Sequence, residues 1–216
     1  MFAFQGITNW FQARRDSKAK SLPDGYVDIV VLYRKGLITA KGTGQSITDI
    51  QASLTSRVTI PLKVRVPHGT YFVSSGNHQN MVTRREYELD LSPKQTRQIS
   101  VPASCINANL PVPKDSDRFS GVARVSDKLS KFLQAAEGED AMTIQAGVWA
   151  ITDRYSRSMI QSHLRVRRYS TRMGAMGRVG LPSTFGSLSD DGPAVSSRQI
   201  DRAKAILDKL KINHRL

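Results

Sequence analysis

From residue 26 to residue 101, short apolar runs follow one another with only turn residues between them. This spacing constrains the fold more than any other feature of the chain. A parallel crossover needs a dozen or more residues, so strands this close together must pair antiparallel. Residues 26–33 (YVDIVVLY) are rich in β-branched and aromatic side chains and read as a strand. Gly36 and Gly42-Thr43-Gly44 punctuate the next stretch, and residues 47–54 read as another strand. Within 58–66, Leu62, Val64 and Val66 fall on one face and Lys63 and Arg65 on the other, while Pro61 suits an edge or a bulge. Pro67-His68-Gly69 turns the chain into a run at 70–73. Residues 81–91 alternate again, Tyr87, Leu89 and Leu91 against Glu86, Glu88 and Asp90, and 98–101 closes the set. The pattern predicts an antiparallel Ig-like β-sandwich over residues 24–104.

After Cys105 the apolar period lengthens. Residues 107–118, with Pro111 and Pro113, read as loop. Residues 122–136 read as a helix with Val125, Leu129, Phe132 and Leu133 along one stripe. Asp140 or Thr143 is placed to cap a second helix through Gln145, Val148, Trp149 and Ile151. Ser156 or Ser158 starts a third, with Met159, Ile160, His163 and Leu164. Together these form a small helical subdomain at 105–168. Residues 169–195 are rich in Gly, Ser and Pro and read as a linker. Ser196 and Gln199 have capping-box spacing ahead of a stripe of Ile200, Ala203, Ile206, Leu207 and Leu210. Residues 196–216 are thus expected to be a C-terminal helix, docked on the body or offered to a partner. With an amphipathic, basic segment at 1–23, the expected class is mainly β with α.

The 216 residues carry 32 Lys and Arg against 18 Asp and Glu, a formal net charge of +14. The excess centres on residues 154–180, which hold Arg154, Arg157, Arg165, Arg167, Arg168, Arg172 and Arg178 and no acid. Such a stretch attracts polyanions, whether nucleic acid or an anionic membrane face. A solvated basic face without a dedicated ligand is the plainer reading. No aromatic-interleaved RNA motif, zinc-finger spacing or P-loop accompanies it. Near the start, Phe4, Ile7 and Phe11 share a helical stripe followed by Arg14, Arg15, Lys18 and Lys20. A segment of this kind dips into a membrane interface, serves in organelle targeting, or docks on its own domain. Residues 1–11 lack the basic and continuous apolar regions of a secretory signal, and no run approaches the roughly 20 apolar residues that span a bilayer.

Cys105 is the single cysteine, which excludes an internal disulfide. A cysteine and a glutamine brought together by a fold can condense, losing ammonia, into a thioester open to attack by an amine. Cys105 and Gln145 are the candidates, with Trp149 as the apolar neighbour that keeps water away. The structural alternative makes Cys105 a small buried hydrophobe, lets Gln145 bond nearby backbone and lets Trp149 fill the core.

Residues 67–153 resemble largely uncharacterised bacterial surface-type β-sandwich proteins. The likeness lies in Pro67-His68-Gly69-Thr70-Tyr71-Phe72, Gln79-Asn80-Met81-Val82, Leu91-Ser92-Pro93, Cys105-Ile106-Asn107 and the stretch from Gln145 to Asp153. That last stretch is also similar to the Gln-containing motif of thioester adhesion domains, where a Thr-Gln pair precedes a small residue, a β-branched residue and Trp. Gln145, Gly147, Val148 and Trp149 match it, and Ile144 stands at the Thr position. The resemblance implies a thioester between Cys105 and Gln145 that captures a lysine amine of a partner protein.

His68 and His78 have no ligand-type neighbours at metal-binding spacing, and no nucleophile elbow is present. Glu86, Glu88 and Asp90 alternate along one strand face, the pattern of a solvated edge. Neither an enzyme activity nor a cofactor is expected. The expected function is a non-enzymatic binding or scaffold module with a protein partner, covalent through Cys105 and Gln145. The alternative is a polyanion-binding protein using Arg154, Arg157, Arg165, Arg167, Arg168 and Arg172 on nucleic acid or an anionic membrane.

Overall fold

A computed structural model describes residues 2–163 and 195–216, with side chains from residue 8 onward. The chain runs α1 (Phe2–Lys20), β1 (Val27–Asp28), α2 (Ile29–Arg34), β2 (Ile38–Gly44), β3 (Asp49–Ser56), β4 (Leu62–Val66), β5 (Thr70–Ser74), β6 (Asn80–Thr83), β7 (Tyr87–Leu91), β8 (Thr96–Ile106), β9 (Arg118–Arg124), α3 (Asp127–Ala135) and α4 (Ala141–Thr152). A further helix, α5, begins at residue 157, and α6 spans Ser197–Lys209.

Six strands close into an antiparallel barrel in the order β2-β3-β8-β6-β5-β9. A separate sheet holds β1, β4 and β7, with β1 parallel and β7 antiparallel to β4. The fold is therefore mixed α/β, a closed barrel with a small sheet and helices, and the expected Ig-like sandwich is corrected.

The correction turns on β9, which lies in the stretch read as loop and helix start. It pairs with β2 on one side and β5 on the other, and so closes the sheet on itself. Its register against β5 jumps: Phe72 faces Val122, Ser74 faces Phe119, and Ser120 and Gly121 together oppose Val73. This is a β-bulge, and Gly121 adopts the positive φ of +92° that it needs. Because of the extra residue, Phe119 and Val122 both face inward although they are three apart, a spacing that mimics a helix.

Inside the barrel, small and large residues alternate to fill a narrow space. Ala40, Gly42, Ala52 and Ala103 let the walls approach, and Phe72, Met81, Phe119, Ile50 and Leu54 occupy the centre. A Cβ at Gly42 would sit 3.2 Å from the Gln51 carbonyl oxygen and crowd the neighbouring strand.

Residues 26–33 also depart from expectation, for β1 stops after two residues and α2 takes over. The Asp28 carboxylate accepts the Val30 N–H at 2.8 Å and caps that helix. Gly36, at φ +71°, ends it, with Leu37 N–H returning to the Leu32 carbonyl. The 81–91 run divides between the two sheets, β6 in the barrel and β7 beside β4. In that small sheet Lys63 faces Asp90 and Arg65 faces Glu88 on the solvent side, while Leu62, Val64, Leu89 and Leu91 are buried.

The helices pack as a layer around α4. Nine consecutive residues of α4, Met142 to Ala150, are buried, so the helix is covered on every side. It is covered by β8, α3 and α6. A Cβ at Gly147 would overlap the Phe132 ring of α3, so this glycine sets the distance between the two helices. Asp140 caps α4, accepting the N–H groups of Met142 at 3.0 Å and Thr143 at 3.1 Å. The same carboxylate accepts Gln199 Nε2 at 2.6 Å, which ties the start of α4 to α6. The Ser196–Gln199 capping box forms, and Ile200, Ala203 and Leu207 are buried, so α6 is docked on the body.

Two outcomes are expected of this layer. Gly147→Ala overpacks the α3–α4 contact and lowers unfolding free energy by about 1–3 kcal/mol in a urea titration. Desolvation pushes the Asp140 carboxyl up, but the bonds from Thr143, Gln199 and Met142 outweigh it and hold the group below its ordinary 3.8. A depressed folded-state value stabilises above the unfolded one and is lost as pH falls through it. Asp140→Ala is accordingly about 1 kcal/mol less stable than the parent at neutral pH, with a difference that shrinks below pH 3.8.

Candidate functional site

β8 changes partners along its length. Thr96–Pro102 pair with β3, and Ala103–Ile106 pair with β6. On the β3 side, the Ala103 N–H donates to the Thr48 carbonyl at 2.8 Å, just before β3 begins at Asp49. Alternate residues of a strand direct their peptide groups to the same edge. Cys105, two residues on, therefore offers its N–H and C=O to an edge where the partner strand has already turned away.

Gln145 of α4 fills that place. The Cys105 N–H donates to Gln145 Oε1 at 2.8 Å, and Gln145 Nε2 donates to the Cys105 carbonyl at 2.7 Å. The carboxamide thus acts as one peptide unit of a missing strand. Both residues are buried, and so is Trp149 one turn further on. Cys105 Sγ lies 3.3 Å from Met81 Sδ and 3.8 Å from the Ile47 carbonyl oxygen. The fold brings the two candidate residues together through the Cys105 peptide, with the sulfur in contact with Met81 and Ile47. Trp149 packs against the rings of His163 and Tyr155, at centroid distances of 5.1 and 6.2 Å.

The arginine candidates separate. Arg154 is exposed at the end of α4 with φ +55°. Arg157 forms an ion pair with Asp201 of α6. Arg165, Arg167, Arg168 and Arg172 lie outside the described residues.

A basic element that is described in full from its middle onward is α1. It is seated by polar contacts from its second half. Gln12 Nε2 donates to the Arg57 carbonyl at 3.0 Å, and Arg15 Nε to the same oxygen at 3.3 Å. Lys94 reaches both that oxygen and Gln12 Oε1. Asp16 accepts the Thr59 N–H at 2.9 Å and the Thr59 hydroxyl at 2.7 Å. Desolvation raises the Asp16 carboxyl, but the bonds from Thr59 and Gln12 and the Lys94 charge hold it below 3.8. Ala19 completes the seat at 5% exposure.

Gln12, Asp16 and Ala19 recur at i, i+4 and i+7 and make one stripe. Positions 11, 14 and 18 make another, about 130° around the helix from the first. On it Phe11 is 49% exposed, and the adjoining Trp10 is 56% exposed. The Arg14 guanidinium lies 5.5 Å from the centre of the Trp10 ring. Asp16 is the only acid in α1, and it faces Thr59, whereas Arg14, Lys18 and Lys20 are exposed. The sequence pattern shows this apolar stripe and its basic continuation. It holds no signal for the seat, which pairs residues some forty positions apart.

The described residues also form open clefts, among them one of about 770 Å³ and one of about 590 Å³. In the first, between the starts of α4 and α6, Arg202 pairs with Glu139 at 2.9 Å. In the second, below the small sheet, Arg65 pairs with Glu86 and Arg124 with Asp28. Each cleft thus holds at least one pair of opposite charges. Among the described residues, no group of His, Cys, Asp and Glu is arranged to hold a metal ion, and no helix is long and apolar enough to cross a membrane. No family model, curated protein or solved structure matches the chain.

Gln145→Leu removes both hydrogen bonds to the buried Cys105 backbone and lowers unfolding free energy by about 2–4 kcal/mol in urea. Cys105→Ala keeps both hydrogen bonds and costs about 1 kcal/mol. The reverse order would show that the sulfur, not the amide, carries the site.

Proposed function

We propose that the protein is a non-enzymatic binding module that attaches noncovalently to a polyanionic surface, with α1 as its contact element. One observation carries this reading: the segregation of charge on α1. Its single acid is turned onto Thr59, and its exposed side keeps Arg14 and Lys18 on the stripe that holds exposed Phe11, next to exposed Trp10. A cationic face on a seated helix presents its charges together, and a polyanion gains from meeting several at once. The net charge of +14 steers an anionic partner toward the molecule from a distance.

The Cys105–Gln145 pair supports this noncovalent reading from the other side. Both polar atoms of the carboxamide are engaged with the Cys105 peptide, an arrangement that favours a structural amide over an acyl donor. The intact protein is accordingly expected to have its full unmodified mass, unchanged by methylamine, and to release one thiol on denaturation. A mass short by one ammonia would restore covalent capture as the function.

Binding to immobilised heparin tests the main reading. The parent should be retained at low salt and released as salt rises. Replacement of Arg14, Lys18 and Lys20 by Gln should weaken retention roughly 10- to 100-fold. If that variant binds like the parent while replacement of Arg165, Arg167 and Arg168 by Gln abolishes retention, the arginine stretch is the contact element and α1 is not.

A further inference from the structure

We propose that the partner of α1 is a lipid bilayer containing anionic lipid, with Trp10 and Phe11 seated at the headgroup–acyl boundary and Arg14 and Lys18 among the headgroups. This rests on the anionic-surface reading and names the surface. Charge alone suits any polyanion, and the aromatic residues make the distinction. A dissolved polyanion offers little apolar volume in which to bury two large rings, and a bilayer interface offers that volume directly beneath its negative charge.

The geometry of α1 fits the interface on three counts. Trp10 and Phe11 are adjacent, at ring centroids 5.0 Å apart, and each is about half exposed. The helix continues without a break to Phe2, and Phe11 opens the outward stripe. Arg14 and Lys18 continue the same stripe, so the helix carries apolar residues along one half and cations along the other. The seat lies elsewhere on the helix. Gln12 and Asp16 hold α1 to the loop after β3, at Arg57 and Thr59, Ala19 is buried beside them on the helix, and the stripe stays available while the helix is docked. Trp149 is fully buried, so Trp10 is the indole that can meet lipid.

Two binding assays run side by side test this, sedimentation with vesicles and retention on heparin. The vesicles are phosphatidylcholine with and without phosphatidylserine. Binding is expected to the mixed vesicles and to fall away for pure phosphatidylcholine. Trp10→Ala with Phe11→Ala, both surface changes, should weaken vesicle binding about tenfold or more while heparin retention stays at the parent level. Brominated lipid should quench Trp10 fluorescence. Retention on heparin or nucleic acid without vesicle binding would overturn the bilayer as partner and leave the anionic-surface reading intact. So would vesicle binding that ignores the two aromatic residues. Loss of heparin retention in the parent would sink both readings.

Discussion

A buried peptide group that loses its hydrogen bond is expensive, and at Cys105 of β8 Gln145 supplies two such bonds. The barrel has to let go of β3 at Asp49 so that the chain can turn into Ser46–Thr48, yet β8 runs on for four residues to pair with β6. The gap this leaves is one peptide unit wide. A glutamine carboxamide has the donor and acceptor spacing of a peptide and fills it. That requirement fixes where α4 must lie, and α4 in turn sets α3 through Gly147 and α6 through Asp140. Gln145 thus registers the helical layer on the barrel together with Asp153, whose carboxylate at the end of α4 accepts the Ala108 N–H at 2.9 Å.

Parts of this were legible in the sequence. Residues 62–66 and 87–91 alternate cleanly, and both form strands with the expected faces inward. The caps at Asp140 and Ser196 were legible because they depend on residues two or three apart. The failures share a physical form. β9 was hidden by its bulge, since one extra residue converts a period of two into a spacing of three. Residues 29–34 have strong β propensity, but the Asp28 cap and Gly36 terminus hold them in a helix, and tertiary packing of Ile29, Val30 and Leu32 outweighs propensity. The barrel itself was out of reach because closure depends on which strands pair over long separations, and β9 was the missing member.

The Cys105–Gln145 pair shows what residue types alone can decide. Their proximity was suggested by composition and motif, and the fold places them in contact. Their role depends on which atoms meet. A peptide and a carboxamide meeting through two hydrogen bonds stabilise a structure, and a sulfur at the carboxamide carbon would store an acyl group. Contact with Met81 and Ile47 gives the sulfur the surroundings of a core residue. The molecule then divides into a barrel and helical layer that hold a shape, and a peripheral helix whose outward face carries charge and aromatic surface.

Amide hydrogen exchange at Cys105 tests the registration of helices on barrel most directly. If Gln145 replaces the missing strand, this amide exchanges as slowly as the barrel amides of β8, through global unfolding, and Gln145→Leu accelerates it selectively. Rapid exchange at Cys105 in the parent, with the rest of β8 protected, would mean that the carboxamide does not hold that peptide and that α4 is placed by something else.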